Sequence, residues 1–318
     1  MTADPVPTPS TLGAPVFKLG TRRSPLAMAQ AEETRARLCA AHGWSEDRIE
    51  IVPVTASGDK IQDRPLAEIG GKALWTKELD AWLVGGEIDF AVHSLKDVET
   101  IRPAALAIAA ILPREDVRDV LVGAASIHAL PQGARVGTSA PRRAAQLLHA
   151  RPDCTVVPFR GNVATRLAKL AADEADATLL AAAGLNRLGQ SGVGHPLDAG
   201  EWLPAPGQGA IAIECRAGDA PMRTLLGAID HGPSRDAVLA ERALLAALGG
   251  NCHSPIAVLT RAEGDDLVMR AALFSPDGAE RVDGETRFGA DDLEAVGRLA
   301  DDLLARAVPA IAVHFTGR

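Results

Sequence analysis

Short apolar runs alternate with stretches of helical spacing along most of the chain, and the alternation predicts the elements. Segments 16–20, 49–54, 88–92 and 106–112 read as buried strands. Segments 25–42 and 76–84 read as helices. After Arg114-Glu115-Asp116 the alternation restarts, with strands at 120–122, 135–137, 155–159 and 177–181. Helices are expected at 140–150 and from the cap Asn162 to about 171. Pro204-Ala205-Pro206-Gly207-Gln208-Gly209 marks a second crossing, and the strand after it, 210–214, can rejoin the first sheet. The texture then changes to one helix at 234–248, alternating runs at 256–260, 267–273 and 285–288, and a last helix carrying Leu293, Val296, Ala300 and Leu303. The fold class is therefore α/β: two lobes with an interlobe cleft, plus a small C-terminal α+β domain. The expected boundaries are a tail at 1–15, lobe 1 at 16–113 and 208–228, lobe 2 at 114–207, and the third domain at 229–318.

Composition narrows the function classes. The chain has 318 residues, 47% of them apolar, yet no uninterrupted apolar run approaches a membrane span, so no membrane partner is expected. Residues 1–15 carry Pro and Thr without periodicity, which reads as a disordered tail, and no basic segment leads into an apolar one as in a secretory signal. The four cysteines, Cys39, Cys154, Cys215 and Cys252, lie far apart with no CxxC pair, which argues against zinc and disulfides and fits a reducing cytoplasm. The net charge of −8 disfavours nucleic acid. Any anion site must then be a local concentration of Arg.

Such concentrations stand where strands meet helices. The run at 88–92 ends in His93, Ser94, Lys96 and Asp97, placing polar groups where a core strand surfaces. Arg22 and Ser24 precede Pro25 at a helix start, a natural carboxylate or phosphate site. Three turns repeat the placement: Gly137-Thr138-Ser139-Ala140-Pro141-Arg142-Arg143, Arg160-Gly161-Asn162 with Arg166, and Gly184-Leu185-Asn186-Arg187. One such Arg is usually a surface charge, but a set at corresponding junctions is expected to converge on one cleft. Gly70-Gly71-Lys72 lacks the flanking residues of a phosphate-binding loop. Cys252 sits in the Gly-rich loop Gly249-Gly250-Asn251-Cys252, where a thiol is open to approach. His253 beside it suggests a Cys–His nucleophile, although adjacent loop side chains usually point apart.

The order of these motifs resembles the porphobilinogen deaminase (hydroxymethylbilane synthase) family. The resemblance rests on Thr21-Arg22-Arg23-Ser24-Pro25-Leu26-Ala27, Ala91-Val92-His93-Ser94-Leu95-Lys96-Asp97, Val136-Gly137-Thr138-Ser139, Arg160-Gly161-Asn162-Val163, Gly207-Gln208-Gly209-Ala210 and the Cys252 loop. It implies two lobes like those of periplasmic binding proteins and a third domain bearing a cofactor. The implied reaction, that of a transferase in tetrapyrrole and heme biosynthesis, deaminates porphobilinogen. Four units are condensed head to tail into hydroxymethylbilane, on a dipyrromethane bound covalently through Cys252. Asp97, with Lys96 and Arg22, would be catalytic, Asp97 meeting the pyrrole nitrogens and the cationic azafulvene. Ser94, Lys96, Thr138, Ser139, Arg142, Arg143, Arg160, Arg166, Gly184, Arg187 and Gln208 would hold the cofactor. Arg22, Ser24, Lys72, Trp75, Arg160, Arg166 and Arg187 would hold the substrate. A cytoplasmic monomer is implied, with no metal.

Four positions depart from the usual family pattern. Ala73 and Trp75 stand for Gly and Phe, Ala140 for Ser, and Asn251 for Gly; none removes a charged group. Two rival classes remain: a non-catalytic carboxylate sensor, which has no need of Cys252, and a Schiff-base enzyme using Lys96, which needs a carbonyl substrate or pyridoxal phosphate. No phosphate cradle is visible for the latter.

Overall fold

The first strand, β1 (Phe17–Arg22), turns directly into helix α1 (Pro25–His42) because the residues between them form a helix start. The Ser24 hydroxyl accepts a hydrogen bond from the Ala27 amide at 3.3 Å, and Pro25, which has no amide hydrogen to leave unpaired, opens the helix. The computed structural model describes residues 16–54 and 76–315. Within them the chain continues through β2 (Ile49–Val54), α2 (Lys77–Gly85), β3 (Phe90–Ser94) and β4 (Leu106–Ile111). There follow β5 (Asp119–Val122), β6 (Arg135–Gly137), α3 (Pro141–Ala150), β7 (Thr155–Val157), α4 (Val163–Ala171), β8 (Ala177–Ala181), α5 (Ala182–Arg187) and β9 (His195–Pro196). The last third holds β10 (Ile211–Arg216), α6 (Ala220–Gly227), α7 (Gly232–Ala247), β11 (Ile256–Glu263), β12 (Asp266–Phe274), β13 (Arg281–Phe288), α8 (Leu293–Arg306) and α9 (Pro309–Ala312).

Two five-stranded sheets share one plan. In the order β2-β1-β3-β10-β4, β1 runs parallel to β2 and β3, while β10 is antiparallel to both its neighbours. In the order β7-β6-β8-β5-β9, β6 runs parallel to β7 and β8, while β5 is antiparallel to both its neighbours. The odd strand of each sheet follows a chain crossing: β5 comes after residues 113–118, and β10 after 203–210. Leu19, Phe90 and Ile213 are completely buried in the first sheet, each contributing on the order of 2 kcal/mol from lost water contact. Leu121, Val136 and Leu179 do the same in the second.

The two crossings lie side by side. Arg114 Nε donates to Gln208 O at 2.9 Å, and Glu115 N donates to Gly209 O at 3.2 Å. A wholly buried carboxylate on α7, Glu241, ties both crossings to the third unit. It receives Arg114 through two bonds of 2.8 and 2.9 Å, Gly207 N at 2.7 Å and Thr260 N at 2.9 Å. That unit is an antiparallel meander, β11-β12-β13, with Leu244 and Leu248 at the end of α7 and Val296, Ala300 and Leu303 of α8 buried in one core with the sheet. The architecture is the two-lobed α/β arrangement with a small α+β unit that the sequence pattern predicts. No helix among the described residues is long and apolar enough to cross a membrane.

Three local expectations shift. The strand expected at 88–92 runs from Phe90 to Ser94, because the αL turn at Gly86 delays pairing until Phe90 meets Leu19. Gly184-Leu185-Asn186-Arg187 is the body of helix α5 rather than a turn. Leu293 is half exposed at the start of α8, so only the later residues of its apolar set reach the core.

Candidate active site

Asp97 closes a single 3-10 turn, Leu95–Asp97, at the end of β3. Both ends of its segment are pinned to one buried carboxylate, Glu214 of the neighbouring strand β10. On one side, His93 Nε2 lies 3.2 Å from Glu214 Oε2. On the other, Arg102 donates to Glu214 at 2.8 and 2.9 Å and also pairs with Asp80. Burial pushes the Glu214 carboxyl up, but the His93 and Arg102 contacts outweigh it and hold the group at about 2. His93 is therefore a core residue within the sheet. Ser94, expected to meet the cofactor, shares its hydroxyl with the Gln30 amide of α1 at 2.8 Å. What remains for the cleft is Lys96 and Asp97. Neither side chain has a hydrogen bond or ion pair to another described residue. The Lys96 ammonium is held down at about 8, by desolvation first and then by Arg143, against the attraction of Asp97 and Asp119.

Facing this turn is a buried charge hub on lobe 2. Arg142 and Arg143 open α3 and are both almost wholly buried, so they are not free arms in a cleft. Asp119 of β5 takes Arg142 at 2.8 Å and Arg143 at 2.7 Å, with Trp202 Nε1 at 2.9 Å and Gln208 Nε2 at 2.8 Å. Burial opposes ionisation of Asp119, but the two guanidiniums win and drive its pKa far below the usual carboxylate range. Gln208, expected at the cofactor, is spent on Asp119 and on Val117 O at 2.7 Å, and its own oxygen takes Arg142 at 3.4 Å. Thr138 is buried, and its hydroxyl accepts from Ala140 N. The hub still has unused donors: Arg142 Nε, Arg143 Nε and Ser139 Oγ are buried without a hydrogen-bond partner. Unpaired buried donors are rare and expensive, and carboxylate oxygens satisfy them.

The other Arg residues divide. Arg160 precedes Gly161, whose φ of +100° and 2.7 Å approach of a would-be Cβ to the Thr165 methyl exclude larger residues. The turn then feeds α4 through the Asn162 cap, 2.9 Å from Thr165 N. Arg166, one helical turn on, is held down at about 10 by desolvation and then by repulsion from Arg143, while Asp97 pulls it the other way. Arg143, Arg160, Arg166, Lys96 and Asp97 thus act on one another in one region. Arg187 does not join them: its guanidinium lies 3.4 Å from Glu33 of α1 and donates to Gly209 O at 3.1 Å, bridging the lobes. A Cβ at Gly184 would meet Leu26 at 3.5 Å, an ordinary contact, so space there does not demand glycine. Arg22 and Ser24 line a pocket with Gln30, Ser94 and Asp97. Lys72 and Trp75, with Ala73, lie outside the described residues.

Cys252 belongs to the loop leaving α7. Gly249, at φ +66°, reverses the chain, and Gly250 N returns to Leu245 O at 2.8 Å. The cysteine is exposed. Desolvation, then the nearby carboxylates of Asp97 and Glu99, push its thiol up to about 11. Cys39, Cys154 and Cys215 are buried in the lobe cores. The thiol-imidazole pairing of Cys252 with His253 is absent among the described hydrogen bonds; His253 N instead donates to Asn251 Oδ1 at 2.8 Å.

Sequence reasoning passed over Asp119, Glu214, Glu241, Arg102 and Trp202. A signal existed for the carboxylates: Glu214 interrupts the apolar strand β10, and Asp119 opens the apolar strand β5, where an unpaired buried charge is not tolerated.

Comparison with known proteins bears on the same residues. A family model described as "Porphobilinogen deaminase, dipyromethane cofactor binding domain" matches residues 17–224, and one described as "Porphobilinogen deaminase, C-terminal domain" matches 236–305. The porphobilinogen deaminase of Sphingopyxis alaskensis is 57% identical over 93% of this chain and 95% of its own. Those of Paracoccus denitrificans and Nitrobacter winogradskyi are 51% and 50% identical over 92% and 94% of this chain, and 94% and 96% of theirs. Among solved structures, the periplasmic VFT2 domain of Bordetella pertussis BvgS covers 72% of this chain and 92% of its own at 19% identity, with a TM-score of 0.39.

Proposed function

Because this chain belongs to the porphobilinogen deaminase family, we propose that it removes ammonia from porphobilinogen and condenses four of the resulting units into hydroxymethylbilane, on a dipyrromethane attached through Cys252. The observation that carries the reading is the pairing of an unbonded Asp97 carboxylate near the Cys252 thiol with buried, partnerless donors on Arg142, Arg143 and Ser139. Those donors fit a group bearing several carboxylates, and the exposed cysteine beside them fits a covalent tether. When bound, the dipyrromethane supplies the nucleophilic pyrrole carbon from which the product grows.

The chain's own residues then have separable tasks. Porphobilinogen brings an acetate and a propionate, so each condensation places two more negative charges in the cleft. Arg22, Arg160 and Arg166 bind them, since a guanidinium fork takes a carboxylate through two bonds and stays charged. Lys96 adds a fourth cation. Ser24 donates its hydroxyl toward the pocket it shares with Arg22 and Asp97. Loss of ammonia leaves positive charge spread over the incoming pyrrole. Asp97 accepts the pyrrole N–H and balances that charge as it develops, from a turn fixed at both ends by Glu214. The Asp119 hub holds Arg142 and Arg143 in place through two ion pairs and leaves the Nε group of each without a protein partner. Arg187, Thr138, Gly184 and Gln208 support the lobe surfaces around the site, and Lys72 and Trp75 are assigned to substrate by the family pattern.

On the same reading the chain divides at 113/114, 207/208 and 228/229, residues 1–15 lying outside the described residues, and works as a cytoplasmic monomer without nucleic acid or a membrane. The net charge of −8 supports the absence of nucleic acid. Purified protein supplied with porphobilinogen tests the activity. Hydroxymethylbilane should appear with one ammonia released per porphobilinogen consumed. Tight binding of porphobilinogen without ammonia would instead make the protein a carboxylate sensor.

A further inference from the structure

Asp97 and Cys252 sit on different units, and whatever holds them at a fixed separation decides whether the tethered group meets the catalytic carboxylate. We propose that Arg242 and Thr100 are positioning residues that clamp the Asp97 turn to the Cys252 loop. The inference rests on the roles given to Asp97 and Cys252 above.

The geometry forms a closed circuit. Arg242, near the end of α7, donates to three consecutive carbonyls just after Asp97: Val98 O at 3.4 Å, Glu99 O at 2.6 Å and Thr100 O at 3.0 Å. Thr100 Oγ1 in turn donates to Gly250 O at 3.0 Å, two residues before Cys252. Gly250 N returns to Leu245 O of α7 at 2.8 Å, one helical turn from Arg242. A Cβ on Gly250 would lie 2.7 Å from Leu245 Cδ1, so a larger residue there makes the Leu245 side chain shift.

The choice of residue is informative. A partly buried guanidinium normally takes a carboxylate, and Arg102 and Arg114 do so here. Arg242 has no carboxylate within ion-pair distance among the described residues and spends its fork on three neutral backbone oxygens. Such a fork fixes the conformation of residues 98–100 more tightly than it stabilises the fold, because each bond constrains a successive peptide. Glu214 anchors the same segment from within lobe 1, while Arg242 and Thr100 refer it to the third unit. A displacement of about 1 Å in such a site can lower the rate about 100-fold.

The test uses the full-length holoenzyme in wild-type, Thr100→Val, Thr100→Ser, Arg242→Lys and doubly substituted Thr100→Val/Arg242→Lys forms. Thr100→Val keeps the side-chain shape and loses only the hydroxyl. Cofactor loading is read by intact mass, folding by melting, and catalysis by kcat and KM for porphobilinogen. The clamp predicts a loaded, folded Thr100→Val protein with KM within about twofold of wild type and kcat lowered about tenfold, restored in Thr100→Ser. Arg242→Lys should fall in the same direction, and the double variant should be less impaired than the product of the singles, since both break one circuit. If kcat per loaded, folded molecule stays within twofold of wild type in both single variants, the clamp is refuted. A wild type carrying nothing on Cys252 overturns the parent reading, and this one with it.

Discussion

Replacing Glu214 by Gln tests the buried anchor beneath the Asp97 turn. The side chain is fully buried, and its carboxyl moves from an ordinary 4.5 to about 2 on folding. At about 1.4 kcal/mol per pKa unit, that difference corresponds to about 3 kcal/mol of stability at neutral pH. The figure agrees with the roughly 3–5 kcal/mol lost when one partner of a buried ion pair is removed. For a chain of 318 residues, at about 2.1 cal/mol/K of unfolding entropy per residue, it lowers the melting temperature by roughly 4–5 °C. The sign of the pH dependence follows from the depressed folded pKa: the contribution is complete above pH 4.5 and is lost as pH falls toward 2. More than half is gone by about pH 3, so the gap between wild type and Glu214→Gln should shrink there. Denaturant unfolding followed by circular dichroism at pH 7 and pH 3 measures both gaps. Equal stability at pH 7, or a gap unchanged at pH 3, refutes the argument.

Other substitutions address the chemistry. Asp97→Asn should lower turnover about 100- to 1,000-fold with melting unchanged, and Asp97→Glu should retain more activity, since charge rather than size is needed; near-normal porphobilinogen consumption by the Asn variant would move the role to Lys96. Arg143→Leu should lose stability, by about 1.5–3 kcal/mol, because it removes one of the two guanidiniums on buried Asp119 and leaves Arg142 alone to balance it, and should also lose cofactor loading by mass. Arg22→Leu should load normally but accumulate enzyme–substrate intermediates, and a normal intermediate distribution would exclude Arg22 from elongation. Lys96 is held at about 8, so kcat/KM should fall as pH rises through 8, and Lys96→Arg, charged throughout, should remove that limb.

The sequence made the fold legible wherever burial followed a simple period. β6 and β8 fall where the pattern puts them, and the caps Ser24 and Asn162 lie where short polar side chains precede helical spacing. The two crossings were visible as charged and Pro-Gly punctuation. What spacing cannot carry is partner choice. Arg142 and Arg143 look like cleft residues on the chain, but only the sheet order brings Asp119 and Trp202 against them. Arg187 has the same turn chemistry as Arg160, yet the packing of α5 against α1 hands it to Glu33. His93 reads as a site residue beside Asp97, and the antiparallel return of β10 makes it a partner of Glu214 instead. Long-range ion pairs depend on topology, and a single chain records only one member at a time.

The account stands or falls on whether Cys252 carries the dipyrromethane on which product is built. Intact mass of the purified, active protein measures this directly, followed by peptide mapping. The mass should exceed that of the sequence by two linked pyrrole units, all of it on the peptide containing Cys252. A fully active protein with an unmodified Cys252 would contradict the account.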